Sequence, residues 1–351
     1  MSSLASEDKR PLGQPANMPT VKQIGRQKLE ISTADAAAML EKHQLGRLIT
    51  LKPLDANPMN SIFELVSERG DSFILKIQYR PGIGSLQGEH YALHLLKQLT
   101  DLPVSNLCLL DDDKDIIPYP YLISNKLSGE SGSGFFERTN HANRMHLSEA
   151  LGHIVGVIHR IEVSEPEQLR NCALNQWQGI VQEALLSDEN FRAEVAAFSD
   201  TFYSQLSDLI ASVPALEIED DSVLLWSDAF FHNLLLKNSG RKIQITGIYD
   251  FQFAAYGSRL FDLEKIEGNF RVRRPREIYG HSEYIEQFYK GYEGAGKAVN
   301  APSDPHQILV NIIRNAIQVR YWWWDCFGIL HSKTPEYLKA ILVGLAKLAR
   351  R

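Results

Sequence analysis

The stretch Leu224-Leu225-Trp226-Ser227-Asp228-Ala229-Phe230-Phe231-His232-Asn233-Leu234-Leu235-Leu236, continued by Lys237-Asn238-Ser239-Gly240-Arg241-Lys242 and then by Ile243-Gln244-Ile245-Thr246-Gly247-Ile248-Tyr249-Asp250-Phe251, decides how the rest of the chain is read. An apolar strand runs into Asp228, and a short loop carries Asn233. A turn at Asn238-Ser239-Gly240 then sends back a second strand that ends in Tyr249-Asp250-Phe251. A carboxylate, an amide and a second carboxylate in that order suit phosphoryl transfer. There, one carboxylate orients the acceptor hydroxyl and takes its proton, while an Asn and a second Asp hold the magnesium that bridges the nucleotide phosphates. The short loop aims Asp228 at the acceptor and Asn233 back toward the metal, and the returning strand brings Asp250 beside Asn233. Magnesium keeps water and phosphate ligands, so one carboxylate and one amide suffice from the protein. Asp228 is therefore the expected catalytic residue, and Asn233 and Asp250 are the expected metal ligands. Asp-x-x-x-x-Asn alone would also fit an ordinary hairpin.

The segment resembles the catalytic region of the aminoglycoside phosphotransferase and choline kinase superfamily, whose motif runs His-Gly-Asp, four residues, Asn, and then Ile-Asp-Phe or Ile-Asp-Trp. Trp226 and Ser227 stand where that family has His and Gly. A Trp supplies the bulk of that anchoring His but not its hydrogen bonds. Downstream, Gly257-Ser258-Arg259-Leu260-Phe261-Asp262-Leu263 resembles the family's Gly-Asp-x-x-x-Asp-Leu, with Asp262 as a structural residue holding the catalytic loop. The resemblance runs from about Gln44 to Tyr292. It implies an α+β, protein-kinase-like fold, with a small antiparallel β-rich lobe and a larger, mainly helical lobe. It also implies ATP and Mg2+ as cofactors and a hydroxyl of a small molecule as acceptor.

Composition agrees with two lobes around a cleft: the chain has 351 residues, of which 44% are hydrophobic. A formal charge of -6 speaks against a nucleic-acid partner and suits a cationic acceptor of aminoglycoside-like, choline-like or amino-sugar type. Cys108, Cys172 and Cys326 are scattered, with no pairing that suggests zinc or a disulfide framework. No apolar run approaches the ~20 residues that span a bilayer. The expectation is a soluble cytoplasmic protein with no membrane partner, its oligomeric state left open.

Residues 1–21 lack periodicity and read as a disordered tail, 22–127 as the nucleotide lobe, and 128–351 as the lobe carrying the catalytic loop, metal and acceptor. In the nucleotide lobe, strands are expected over 47–53, 61–67, 72–78, 107–110 and 119–127, and a helix over 86–99. Arg69-Gly70-Asp71 reads as a hairpin turn. Lys76 sits among apolar neighbours, and Glu89 in the following helix stands where the resemblance places the acidic partner of the nucleotide Lys. The connection 54–60 would cover the phosphates, with Asn60 at a position where the family has Asn and the Ser61 hydroxyl as a contact. The resemblance places the adenine edge against the backbone of Ser124 to Lys126. Ser128-Gly129-Glu130-Ser131-Gly132-Ser133-Gly134 then reads as a flexible crossing.

The remainder reads as helical, with helices expected over 147–161, 175–186, 191–213 and 284–292 and a long one over 305–330. On the last, Leu309, Ile312, Ile313 and Ala316 form an apolar stripe that continues between Trp323 and Trp324. That leaves Trp322 on a polar face with Asp325, where an aromatic ring and a carboxylate would hold a cationic acceptor. The expected function is that of an ATP-dependent small-molecule kinase. A nucleotide-binding pseudokinase, motivated by Trp226-Ser227, and a kinase acting on a protein are the alternatives; no activation segment ending in Ala-Pro-Glu follows Asp250.

Overall fold

The computed structural model describes residues 29–54, 60–80, 84–218, 221–238, 243–296, 304–325, 328 and 330–351. The expected tail 1–21, the loop 55–59, the turn residues Ser239-Gly240 and Cys326 lie outside the described residues.

The first lobe begins with helix α1 (Thr33–Lys42), whose N-terminus is closed by a capping box between Ser32 and Asp35. Strands β1 (Leu48–Pro53), β2 (Asn60–Ser67) and β3 (Ser72–Gln78), helix α2 (Leu86–Leu99), and strands β4 (Cys108–Asp111) and β5 (Tyr121–Asn125) follow. The strands form one five-stranded sheet in the order β1-β2-β3-β5-β4, every pair antiparallel. Two-residue alternation sorts its side chains. Phe63, Leu65, Phe73, Leu75 and Ile77 pack with Ala36, Met39 and Leu40 of α1. Ile62, Ile74, Lys76 and Leu122 occupy the opposite face and line a cavity. Arg69-Gly70-Asp71 makes the tight hairpin that its glycine permits, with Gly70 at φ 83°.

The second lobe continues through β6 (Glu130–Ser131), α3 (Gly132–Arg138), α4 (His141–Ile158), β7 (Arg170–Cys172), α5 (Trp177–Leu186), α6 (Glu189–Phe198), α7 (Phe202–Ser212), β8 (Ser222–Leu225), β9 (Leu234–Asn238), β10 (Ile243–Ile248) and β11 (Ala255–Ser258). It closes with α8 (Leu260–Val272), α9 (Arg276–Tyr279), α10 (Ser282–Gly294), α11 (Asp304–Ile317) and α12 (Thr334–Leu348). β10-β9-β6 and β7-β11-β8 are small three-stranded sheets. One core cluster joins α4, α8 and α10 to Trp226, Phe230, Phe231 and Phe251, so the stretch around Asp228 rests on a buried core. A second cluster is built from α5, α6, α7, α11 and α12. Among the described residues no helix is long and apolar enough to cross a membrane.

Three expectations are corrected here. The crossing at 128–134 is not a loose linker: Glu130 and Ser131 pair with β9, and α3 starts at Gly132. Gly129 sits at φ 151°, where an added Cβ would come within 2.7 Å of the Thr246 hydroxyl, so this glycine serves close approach of the backbone. The expected helix 191–213 is two helices, because Ser199 takes extended dihedrals between α6 and α7. The long helix after residue 305 keeps α geometry only to Ile317, and residues 318–325 form a π-helix. Its i→i+5 bonding advances the chain by a different angle per residue, so a 3.6-residue period loses phase at Gln318.

Candidate active site

Asp262, the third residue of α8 and 1% exposed, fixes the loop that carries Asp228. Its Oδ2 accepts the Trp226 N–H at 2.9 Å and its Oδ1 accepts the Ser227 N–H at 2.7 Å. His159, at the C-terminus of α4, is bonded to the same carboxylate through Nε2 at 3.2 Å and to the Tyr292 hydroxyl through Nδ1 at 2.9 Å. These contacts hold the peptide on the N-terminal side of Asp228 in an unusual shape: Ser227 has φ 64°, and across the site Asp250 has φ 63°. Both are left-handed positions that favour glycine, and strained residues of this kind cluster at functional sites. The turn at 227 explains why a Gly precedes the Asp in the motif that this stretch resembles. Trp226 also does more than fill space. Its ring stacks on Phe251 at 5.0 Å and 10°, and its Nε1–H donates to the Asp250 carbonyl at 3.3 Å. Trp226 thus brings a hydrogen bond of its own to the position where the related motif has His.

Around Asp228 the structure assembles a shell of donors. Lys265 Nζ lies 2.7 Å from Oδ1, and His232 Nε2 lies 3.0 Å from Oδ2. Asn233 Nδ2 donates to the Asp228 carbonyl at 2.9 Å and to Oδ2 at 3.2 Å. The far nitrogen of His232, Nδ1, is 3.4 Å from Arg273 Nη1. A guanidinium can only donate, so Nδ1 accepts and the imidazole proton sits on Nε2, pointed at Asp228. Burial works against charge on Asp228, but the His232 hydrogen bond and the Lys265 ammonium outweigh it and hold the carboxyl well below the usual carboxylate range. Lys265, His232 and Arg273 were not singled out from sequence. The one available signal for Lys265 was its place one turn after Asp262 on the same helix.

Across the cleft, Lys76 Nζ lies 2.8 Å from Glu89 Oε2 and 2.8 Å from Asp250 Oδ1. Burial opposes the Lys76 charge, yet the Asp250 and Glu89 carboxylates overcome it and hold the ammonium above its ordinary range. The structure thus joins Lys76, Glu89 and Asp250 in one ion-paired group. Above this group is a cavity of about 410 Å³, lined by Ile62, Ile74, Leu93, Leu122, Ser124, Lys126 and Tyr249, among others. Ser124 and Lys126 therefore border it; the Lys126 N–H is already bonded to the Ser72 carbonyl, and its Nζ to Glu64. Two expected phosphate contacts are corrected. Ser61 is 2% exposed and its hydroxyl accepts the Leu29 N–H at 2.9 Å, because strand alternation turns it to the α1 face. Asn60 is buried and its amide donates to Gln252, so its side chain ties β2 to the loop after Asp250.

The expected cation pocket at Trp322 and Asp325 is also corrected. Asp325 is ion-paired with Arg320 of its own π-helix, and the Trp322 ring is half-buried against Phe253 at 5.8 Å. Trp323 is core, whereas Trp324 is half-buried and donates Nε1–H to Asp188. The π-turn displaced the face that a 3.6 period assigns to these residues.

Asn233 and Asp250 suit magnesium. Asn233 Nδ2 is committed to Asp228, which orients the amide and leaves its Oδ1 to serve as a ligand, while Asp250 uses Oδ1 on Lys76 and retains Oδ2. The backbone holds the two side by side, since the Tyr249 N–H donates to the Asn233 carbonyl at 3.2 Å. Hard oxygen donors, few in number, are what this ion takes from proteins.

An antiparallel sheet over a helical body, with a nucleotide-sized cavity and an Asp-Asn-Asp constellation below it, defines a small-molecule kinase of protein-kinase-like fold. The chain belongs to the phosphotransferase enzyme family of the aminoglycoside phosphotransferase superfamily, whose family model matches residues 50–289. Solved structures share the fold. A candidate aminoglycoside phosphotransferase of Ralstonia eutropha JMP134 is 15% identical, with 92% of this chain and 99% of that one covered and a TM-score of 0.59. The gentamicin complex of APH(2")-IIa is 12% identical, covering 91% and 97%, with a TM-score of 0.57. Macrolide 2'-phosphotransferase MphH of Brachybacterium faecium is 15% identical, covering 88% and 97%, with a TM-score of 0.55. No curated protein matches the chain in sequence.

Proposed function

We propose that the protein transfers the terminal phosphoryl group of ATP to a hydroxyl of a small molecule, in a magnesium-dependent reaction. The observation that carries this reading is the convergence of two groups on one cleft: Asp228 with Asn233 below, and Lys76 with Glu89 and Asp250 above. Lys76 would meet the nucleotide phosphates as a point charge held in place by Glu89. Asn233 Oδ1 and the Asp250 carboxylate would hold magnesium, which when bound neutralises charge on the phosphates.

Asp228 would accept a hydrogen bond from the acceptor hydroxyl and aim its oxygen at the phosphorus. As the new O–P bond forms and the bond to the nucleotide breaks, the hydroxyl proton passes to Asp228 and the bond's electron pair leaves with the nucleoside diphosphate. A carboxylate held below its usual range is a weak base, so this proton moves late and Asp228 acts chiefly by orientation. That fits a loose transition state in which the nucleophile contributes little bonding. Lys265 and His232 keep the carboxylate ionised and fixed.

The test is phosphorus NMR of reaction mixtures containing magnesium-ATP and a panel of amines, sugars, hydroxy acids and aminoglycosides. A new phosphate-ester signal, formed with stoichiometric ADP, is the expected result. Consumption of ATP with inorganic phosphate as the only product across the panel would contradict transfer to any of these acceptor classes.

A further inference from the structure

We propose that the acceptor is anionic and that Arg273 anchors its charged group, a proposal that rests on the phosphotransfer reading above. The helix that supplies Lys265 ends at Val272, and the chain then carries Arg273, Arg274 and, after Pro275, Arg276. Arg274 and Arg276 are exposed, whereas Arg273 is half-buried and turns back toward the catalytic loop. Its guanidinium lies over the Phe230 ring at 5.3 Å and over the Tyr279 ring at 5.2 Å. Its nitrogens reach His232 Nδ1 at 3.4 Å and Ser133 Oγ at 3.5 Å, two long contacts, neither of them with a carboxylate. His232 in turn touches Asp228, so Arg273 is two side-chain contacts from the carboxylate that receives the acceptor hydroxyl.

Several arginines elsewhere have carboxylate partners: Arg271 pairs with Glu267, Arg314 with Glu264, Arg320 with Asp188 and Asp325, and Arg138 with Glu130, whereas Arg144 bonds the Phe136 and Glu137 carbonyls. Among the described residues no carboxylate pairs with Arg273. A guanidinium that rests against two rings is pre-organised, and its planar fork matches carboxylate and phosphate oxygens. Lys265 adds a second cation on the same side: its ammonium is 2.7 Å from Asp228 Oδ1, and its side chain is 43% exposed. An ammonium-bearing acceptor delivered to Asp228 would meet both positive charges, and the carboxylate of Glu137, on the far side of Tyr279's hydroxyl, accepts that hydroxyl at 2.9 Å. An oxyanion would be drawn to them, and an Arg fork would fix the distance between its charged end and the reacting hydroxyl.

The experiment holds the nucleotide site filled. The full chain is saturated with magnesium and a non-hydrolysable ATP analogue, then titrated calorimetrically with inorganic phosphate, acetate, glycerol 3-phosphate, glycerate and 3-amino-1,2-propanediol. At least one oxyanion is expected to bind the wild type, the amine to bind none or far more weakly, and Arg273→Gln to weaken the oxyanion by tenfold or more. Arg273→Lys should fall between them. Because Arg273 packs on two rings, analogue affinity within about twofold of wild type certifies that each variant is folded. Phosphate and glycerol 3-phosphate binding without acetate or glycerate would assign a phosphate-bearing acceptor, and the reverse a carboxylate-bearing one. Analogue binding with no oxyanion binding, with equal binding in Arg273→Gln, or with the amine preferred would overturn the proposal while leaving the kinase reading intact. Failure of the wild type to bind the analogue would overturn both.

Discussion

Ser227 carries a positive φ of 64° in a position where the related motif has glycine, and the Asp262 carboxylate holds it there. A residue with a Cβ pays roughly 1 kcal/mol for left-handed dihedrals, less what glycine loses in unfolded-state entropy. Ser227→Gly is therefore expected to leave turnover within about twofold and to hold or raise the melting temperature; a clear drop would show that the Ser hydroxyl itself supports the loop. Asp228 makes the second prediction at this scale. Its folded-state affinity for a proton is depressed, so its contribution to stability is complete above its unfolded value of about 4 and is lost as the pH falls through the folded value. Urea unfolding of wild type and Asp228→Asn should differ by a constant amount between about pH 5 and 8 and converge only below about pH 4. Convergence near neutrality would mean that Asp228 is not held by Lys265 and His232. That Asp228, Asn233 and Asp250 lie close together was legible because they belong to one hairpin, where spacing fixes proximity. Lys265 and Arg273 were not, because α8 brings them from outside it and nothing local marks them.

At the scale of elements, α4 and α10 approach so closely that side chains are excluded at the crossing. A Cβ on Gly152 would lie 1.9 Å from the Phe288 carbonyl oxygen, and one on Gly291 would lie 1.9 Å from that of Glu149. Neither clash can be relieved by rotating a side chain, since backbone stands on the other side. Gly152→Ala is therefore expected to destabilise by about 1 to 3 kcal/mol, the usual cost of overpacking, although Ala is the better helix former. Chemical denaturation reads this directly, and a variant as stable as wild type would show that the helices slide apart freely. Helix α2 and strand β3 were readable from sequence to the residue, because capping and two-residue alternation are local signals. The π-helix at 318–325 was not. Periodicity counts residues, and nothing in the apolar stripe of α11 announces that the hydrogen-bonding step changes at Gln318.

For the whole molecule, a lobe of antiparallel strands and a helical body each present one half of a site, and Asp250 belongs to both halves. It pairs with Lys76 of the sheet and follows the strand that lies against Asn233. Asp262 belongs to the body alone. Asp250→Ala is accordingly expected to abolish the thermal stabilisation that magnesium-ATP gives, whereas Asp262→Ala should lower the melting temperature and keep a magnesium-ATP increment; equal increments in both would contradict the division. Lobe architecture followed from the motif's resemblance, and the acceptor's place did not, since acceptor contacts come from scattered elements under no shared pattern. The most direct test of the central claim is to measure turnover and nucleotide affinity together in Asp228→Asn. The account predicts that turnover falls by about 10²-fold or more while affinity for the ATP analogue stays within about twofold of wild type. Near-normal turnover in that variant would remove Asp228 from the chemistry and contradict the account.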